Sequence, residues 1–157
     1  MLCSTLSLSI SRKGDTMRID MTEREANQYS PLALAFLGDS VYEQLVRERI
    51  LLAANMPAHK LHKLAVSRVC AEYQSECALL LQEQGILSEN EAEVFKRGRN
   101  TKVNAPKHST IAEYRNATGL ECLFGYLYLT AQHERIDVLF SLCWEHGEDE
   151  FNEKIKE

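Results

Sequence analysis

The sequence predicts an all-α protein, and three observations carry that prediction. Glycine and proline are scarce, at seven and three residues, and β-branched residues are sparse, so little favours strands or tight hairpins. Helix-start signals recur at Ser30-Pro31, Ser88 to Glu91 and Thr110 to Glu113, each able to satisfy the orphan N–H groups of a first turn. Behind these signals apolar residues return every three or four positions, not in alternation.

Taken in order, residues 1–27 read as an N-terminal extension, expected to be disordered, with Met17 a natural alternative start. Ser30 caps a helix with Pro31 in its first turn, and Leu34, Leu37, Val41 and Leu45 carry it to about Ala53. Asn55-Met56-Pro57 ends it. A single long helix is expected next, with Leu61, Leu64, Ala65, Val69 and Tyr73 buried, Lys60, Lys63 and Arg68 off the stripe, and Gly85 as its C-cap. Ser88 opens a short helix ending near Gly98. Arg99 to Ser109 reads as an ordered surface loop. Thr110 opens a helix to about Ala131, and Arg135 to Glu145 forms another, with Val138, Leu139, Leu142 and Cys143 apolar. Residues 28–146 thus make one domain. The acidic tail, 147–157, is expected to fray.

The bulk numbers narrow the function. A hydrophobic fraction of 45% with 26% charged residues is ordinary for a globular domain, and no run approaches the ~18 consecutive apolar residues of a membrane span. Five cysteines, an odd number without a C-x-x-C pair, read as reduced and structural and point to a cytoplasmic location. The net charge is −5. Yet Val94 to Ala112 holds Lys96, Arg97, Arg99, Lys102 and Lys107 with no acidic residue. Phosphate responds to such a patch more than to the total.

Two apolar helical stretches each carry an acidic residue, Asp39 in Leu32 to Glu43 and Glu121 in Thr118 to Leu129. A carboxylate there is costly to desolvate unless it is paired or holds a cation. Gly38, Gly119 and Gly125 are close-approach positions, where backbone or ligand can come near; tight helix packing alone would also use them. Glu43, one turn after Asp39, is a supporting residue or part of a solvated face. His59-x-x-His62 lacks the further ligands of a zinc site, although Lys60, His62 and Lys63 could face phosphate. Hard carboxylate ligands suit Mg²⁺ or Mn²⁺. With the basic segment, they point to metal-dependent phosphodiester hydrolysis on nucleic acid. A binding module without chemistry stays open.

Phe36-Leu37-Gly38-Asp39-Ser40-Val41 resembles the core of the ribonuclease III signature, and Glu121 falls on the glutamate of the family's second acidic block. Other acids of the family pattern are replaced by Leu32, Ala35 and Thr118. These departures are similar to the Mini-ribonuclease III branch, as are Leu32 to Glu43, Tyr114 to Glu121 and Arg97-Gly98-Arg99-Asn100. The resemblance spans roughly residues 29 to 144 and implies a helical endoribonuclease domain acting on double-stranded RNA. In it Asp39 and Glu121 would be catalytic and bind Mg²⁺, leaving 5′-phosphate and 3′-hydroxyl ends. It further implies a homodimer with Phe36 at the interface, and a role in maturation of large-subunit (23S) ribosomal RNA. A separate double-stranded-RNA-binding domain is not expected, so Lys96, Arg97, Arg99, Lys102 and Lys107 would grip the phosphates, as a flexible loop beside the site. With so few acids, a catalytically silent RNA-binding or ribosome-assembly protein is the alternative.

Overall fold

A computed structural model describes residues 18–102, 104 and 106–157. Among them there is no strand, and the chain runs through α1 (Glu23–Ala26), α2 (Pro31–Ala53), α3 (Ala58–Val69), α4 (Ala71–Glu83), α5 (Glu89–Arg99), α6 (Ile111–Leu129), α7 (His133–His146) and α8 (Glu148–Lys156). The all-α expectation holds. So do the three helix starts. Ser30 Oγ accepts from Ala33 N at 3.1 Å, and reciprocal capping boxes close at Ser88–Glu91 and Thr110–Glu113. Gly85, at φ 64°, completes a Schellman end for α4: its N–H donates to Gln82 O and Ile86 N–H to Leu81 O, both at 3.0 Å.

Helix α6 is the hub, with α2, α4, α5 and α7 packed around it. That explains why its sequence is apolar on more than one face: Ala117, Leu120, Cys122, Leu123, Phe124, Tyr126 and Leu127 are all buried. The crossing of α2 and α6 is closest at two glycines. A methyl group built on Gly38 would overlap the Glu121 carbonyl oxygen and sit 2.7 Å from Gly125 N. One built on Gly125 would overlap the Leu34 carbonyl and sit 3.1 Å from Gly38 N. The obstructions are backbone, which cannot rotate away. Above this crossing Tyr42 meets Phe124 and Phe140 edge-on, with ring centres 5.5 and 5.6 Å apart.

Four expectations are corrected. The long second helix is two, because Cys70 is extended (ψ 152°). Two side chains compete with its backbone ladder: Ser67 Oγ donates to Leu64 O at 2.7 Å and Gln74 Nε2 to Val69 O at 3.1 Å. Arg68 is buried, not off the stripe. Its guanidinium lies 4.6 Å from the Tyr73 ring centre and 5.2 Å from those of Trp144 and Phe151, and it donates to the Gly147 carbonyl.

The acidic tail is helix α8. Phe151 is buried against Trp144, ring centres 4.7 Å apart. Its acids Glu148, Asp149 and Glu150 occupy the first turn and Lys154 and Lys156 the last, which suits the helix dipole. The expected N-terminal extension likewise contains α1, closed by a Thr22–Glu25 capping box, and Met21 N–H donates to Leu129 O at 2.8 Å. Residues 1–17, Met17 included, lie outside the described residues. Among the described residues no helix is long and apolar enough to cross a membrane, and Cys70, Cys77, Cys122 and Cys143 are free thiols.

The crossing gives a stability prediction. Alanine favours a helix over glycine by about 1 kcal/mol, but at Gly38 or Gly125 it forces two backbones apart, an overpacking cost of about 1–3 kcal/mol or more. Urea denaturation should therefore find Gly38→Ala and Gly125→Ala less stable than the parent. A neutral or stabilising result would mean the helices are not in backbone contact.

Candidate functional site

The glycine crossing brings the two acidic islands together. Asp39 follows Gly38 on α2. Glu121, whose own carbonyl lies against Gly38, stands on α6. Burial first, and then the Asp39 carboxylate, push the Glu121 carboxyl up to about 8, opposed by the nearby Gln74 amide. Asp39 lies at the surface. Its carboxyl is also held above the ordinary range, by partial desolvation and then by the Glu43 carboxylate. Asp39 thus bears on Glu121 as a nearby like charge, the one carboxyl open to solvent and the other half-buried.

The other predicted residues divide. Glu43 is close enough to Asp39 to repel it, but its carboxylate accepts from Arg47 on the next turn, Nε at 3.0 Å. Ala35 and Thr118 are buried, and the Thr118 hydroxyl donates back to Tyr114 O at 2.9 Å within α6. Neither position supplies an acid. Among the described residues no three His, Cys, Asp or Glu side chains converge tightly enough to hold a metal ion. His59 and His62 are exposed on α3.

The donor set nevertheless fits one kind of ion. Mg²⁺ keeps much of its water and is commonly held by one or two carboxylates. A divalent cation would relieve the repulsion between Asp39 and Glu121. Gln74, 1% exposed, adds a buried amide oxygen, Oε1, without a partner. Sequence reasoning missed Gln74. Its signal was a glutamine amid Tyr73, Cys77, Ala78 and Leu81, read as part of an uninterrupted helix.

The basic segment is only partly a loop. Lys96, Arg97 and Arg99 occupy the last turn of α5, so they ride on a rigid element and not on a flexible one. Arg97 donates to Asn27 Oδ1 at 2.9 Å, tying down the end of α1. Arg99 Nε donates to Asn116 Oδ1 at 2.9 Å, and Asn116 Nδ2 donates to Ser75 Oγ at 2.9 Å, linking α5, α6 and α4. Lys96 and Arg99 line a groove of about 390 Å³ floored by Leu79, Leu87 and Phe95. Lys102 and Lys107 are exposed in the connection to α6. Phe36 is 81% exposed, so it is no core residue, and Leu32 and Tyr29 are exposed beside it in sequence.

An all-helical domain with paired carboxylates across a glycine crossing has known counterparts. The Ribonuclease III domain model matches residues 32–132. That defines the class as a ribonuclease III domain. The chain is 38% identical over 120 residues to the Mini-ribonuclease 3 of Streptococcus pneumoniae, covering 76% of this chain and 94% of that protein. It is 46% identical over 107 residues to that of Symbiobacterium thermophilum, covering 68% and 81%. A crystal structure of a protein from Fusobacterium nucleatum is similar at TM-score 0.70 and 31% identity, covering 78% of this chain and 97% of that one. The chain belongs to the Mini-ribonuclease III branch of the ribonuclease III family.

The raised Glu121 carboxyl predicts a pH-dependent stability. Folding lifts its pKa from the ordinary 4.5 to about 8, so between those pH values the folded state binds more protons than the unfolded one. Stability from this group is therefore complete below about pH 4.5 and lost as pH rises through 8. One pK unit corresponds to about 1.4 kcal/mol, reduced by water at the exposed edge. In the metal-free protein Glu121→Gln should be more stable than the parent by about 2 kcal/mol at pH 8.5, a Tm rise of about 5 °C. The gain should shrink towards zero near pH 4.5. Equal melting temperatures at pH 8.5 would contradict the placement of Glu121.

Proposed function

We propose that this ribonuclease is a divalent-metal-dependent endonuclease of double-stranded, structured RNA, with Asp39 and Glu121 as its catalytic metal ligands. The observation that supports this best is the juxtaposition of the two carboxylates across Gly38 and Gly125, with the Glu121 carboxyl pushed upward by burial and then by its neighbour. Bound Mg²⁺, or Mn²⁺ in its place, would supply the Lewis acid that makes water a competent nucleophile near neutral pH and neutralises charge on the phosphate. Glu121 gives up its proton when it becomes a ligand, which ties cation affinity to pH. Asp39, at the open edge, would hold the cation on the side open to a phosphodiester. Water attacks phosphorus in line, the bond to the 3′ oxygen breaks, and the products carry 5′-phosphate and 3′-hydroxyl ends.

The chain's cations would hold the substrate. A-form RNA is gripped through shape, phosphates and 2′-hydroxyls. Lys96, Lys102 and Lys107 are exposed for phosphate contact, and Arg97 and Arg99 contribute from positions already braced by Asn27 and Asn116. Glu43, engaged by Arg47, would tune Asp39 from one turn away. Phe36 would seat against a second copy, making a homodimer that presents two such sites to one duplex. An exposed phenylalanine on a helix beside the carboxylate site is what that reading requires. The substrate in the cell would be precursor large-subunit (23S) ribosomal RNA.

The alternative, an RNA-binding or ribosome-assembly protein without catalysis, draws on the small number of converging acids. Cleavage of a structured 23S ribosomal RNA stem separates the two. The parent should cut in Mg²⁺ or Mn²⁺ and not in EDTA. Asp39→Asn and Glu121→Gln should each lose at least about a hundredfold in rate, given what preorganised electrostatic groups contribute. Undiminished cutting by both variants would overturn the site, and binding without metal-dependent cutting would favour the alternative.

A further inference from the structure

Gln74 stands on α4, beside Glu121 and just after the break between α3 and α4. Its side chain is 1% exposed. One amide hydrogen goes to the Val69 carbonyl at 3.1 Å, a carbonyl left without an intrahelical partner because the helix stops at Cys70. The same side chain stands beside the Glu121 carboxyl and acts to hold its pKa down. An amide nitrogen has two hydrogens to give, so one stays free to turn toward that carboxyl. The oxygen, one carbon away, is buried and has no partner. A buried unsatisfied acceptor is rare in a folded protein and calls for a reason.

The surroundings hold the amide in place. Ser75, the next residue, accepts from Asn116 Nδ2 at 2.9 Å, and Asn116 accepts from Arg99. Helix α4 is thereby clamped to α6 one residue from Gln74, which fixes where the amide stands relative to Glu121. Among the described residues no third acidic, histidine or cysteine side chain converges with Asp39 and Glu121. An oxygen donor supplied by a third helix would make up part of that deficit.

We infer that Gln74 is a positioning residue of the carboxylate site, its amide nitrogen orienting Glu121 and its amide oxygen serving the oxygen shell of the divalent cation, directly or through one of the cation's waters. The inference rests on the reading of Asp39 and Glu121 as metal ligands given above. It explains both the orphan oxygen and the helix break: the uncapped Val69 carbonyl is the anchor that sets the amide's orientation.

Mn²⁺ binding to the full-length protein, measured by calorimetry or electron paramagnetic resonance without RNA, tests it. The variants are Gln74→Leu, Gln74→Glu and Asp39→Asn, each checked for folding by a metal-free thermal melt. Outer ligand partners are typically worth 10- to 100-fold in metal affinity. Gln74→Leu should therefore bind Mn²⁺ at least about tenfold more weakly, whereas Gln74→Glu, which keeps an oxygen at the same reach, should bind at least as tightly as the parent. If Gln74→Leu does not fold, Gln74→Met keeps the chain length and is read the same way. Parental affinity in the apolar variant would overturn the inference. So would equal weakening in both, which would make Gln74 only an anchor for Val69. Parental affinity in Asp39→Asn would instead overturn the carboxylate site itself, so the two failures are distinguishable.

Discussion

Helices α2 and α6 touch backbone to backbone at Gly38 and Gly125, and the remaining architecture is arranged around that contact. The absence of two side chains brings the helices closer than ordinary ridge-in-groove packing, in which axes stay about 8–10 Å apart. Closeness has a chemical consequence. Asp39 and Glu121 are brought close because Gly38, next to Asp39, and Gly125, one turn after Glu121, have no Cβ. A further glycine pair repeats the device on the other side of α6, where a methyl group on Gly98 would fall 2.6 Å from Cys122 Cβ and 3.0 Å from the Gly119 Cα. Helix α6 is thus gripped by α2 and α5, and the basic last turn of α5 is held in fixed relation to the carboxylates.

What the close contact creates is electrostatically unfavourable in the bare protein. Burial and the neighbouring Asp39 carboxylate favour a protonated Glu121 near neutral pH. The arrangement is sustained by apolar packing elsewhere, including the Tyr42–Phe124–Phe140 cluster. Binding sites often lie where local interactions disagree with the stability of the whole. Here the disagreement has a definite sign, an excess of negative charge and of oxygen acceptors, and a hard divalent cation is the species that removes it. Two carboxylates and a buried amide are a lean set. That leanness is consistent with a cation that keeps most of its water.

Much of this was legible in the sequence. Capping serines and threonines announced α2, α5 and α6, because a cap is a local interaction decided within four residues. The glycine–acid adjacency announced the site. Most of the missed features are non-local; the exception is α1, whose Thr22–Glu25 capping box is as local a signal as the others. Nothing near Cys70 marks a helix break, since the competing bonds from Ser67 and Gln74 matter only once α4 is docked. Arg68 was placed outside because it is charged, and it is inside because Tyr73, Trp144 and Phe151 arrive from three helices to receive it. The tail was read by its charge, while one residue, Phe151, decides its fate. Gln74 was invisible as a functional residue for the same reason: its partners are a helix end and a carboxylate on another helix.

The central claim is that the Gly38–Gly125 contact builds a single cation site from Asp39 and Glu121. Anomalous scattering from a crystal of the full chain grown with Mn²⁺ tests it most directly. The account predicts one strong peak per protomer between α2 and α6, within ~2–2.5 Å of an oxygen from each of the two carboxylates. A peak elsewhere, or one bound by a single carboxylate with the other turned away, would contradict it.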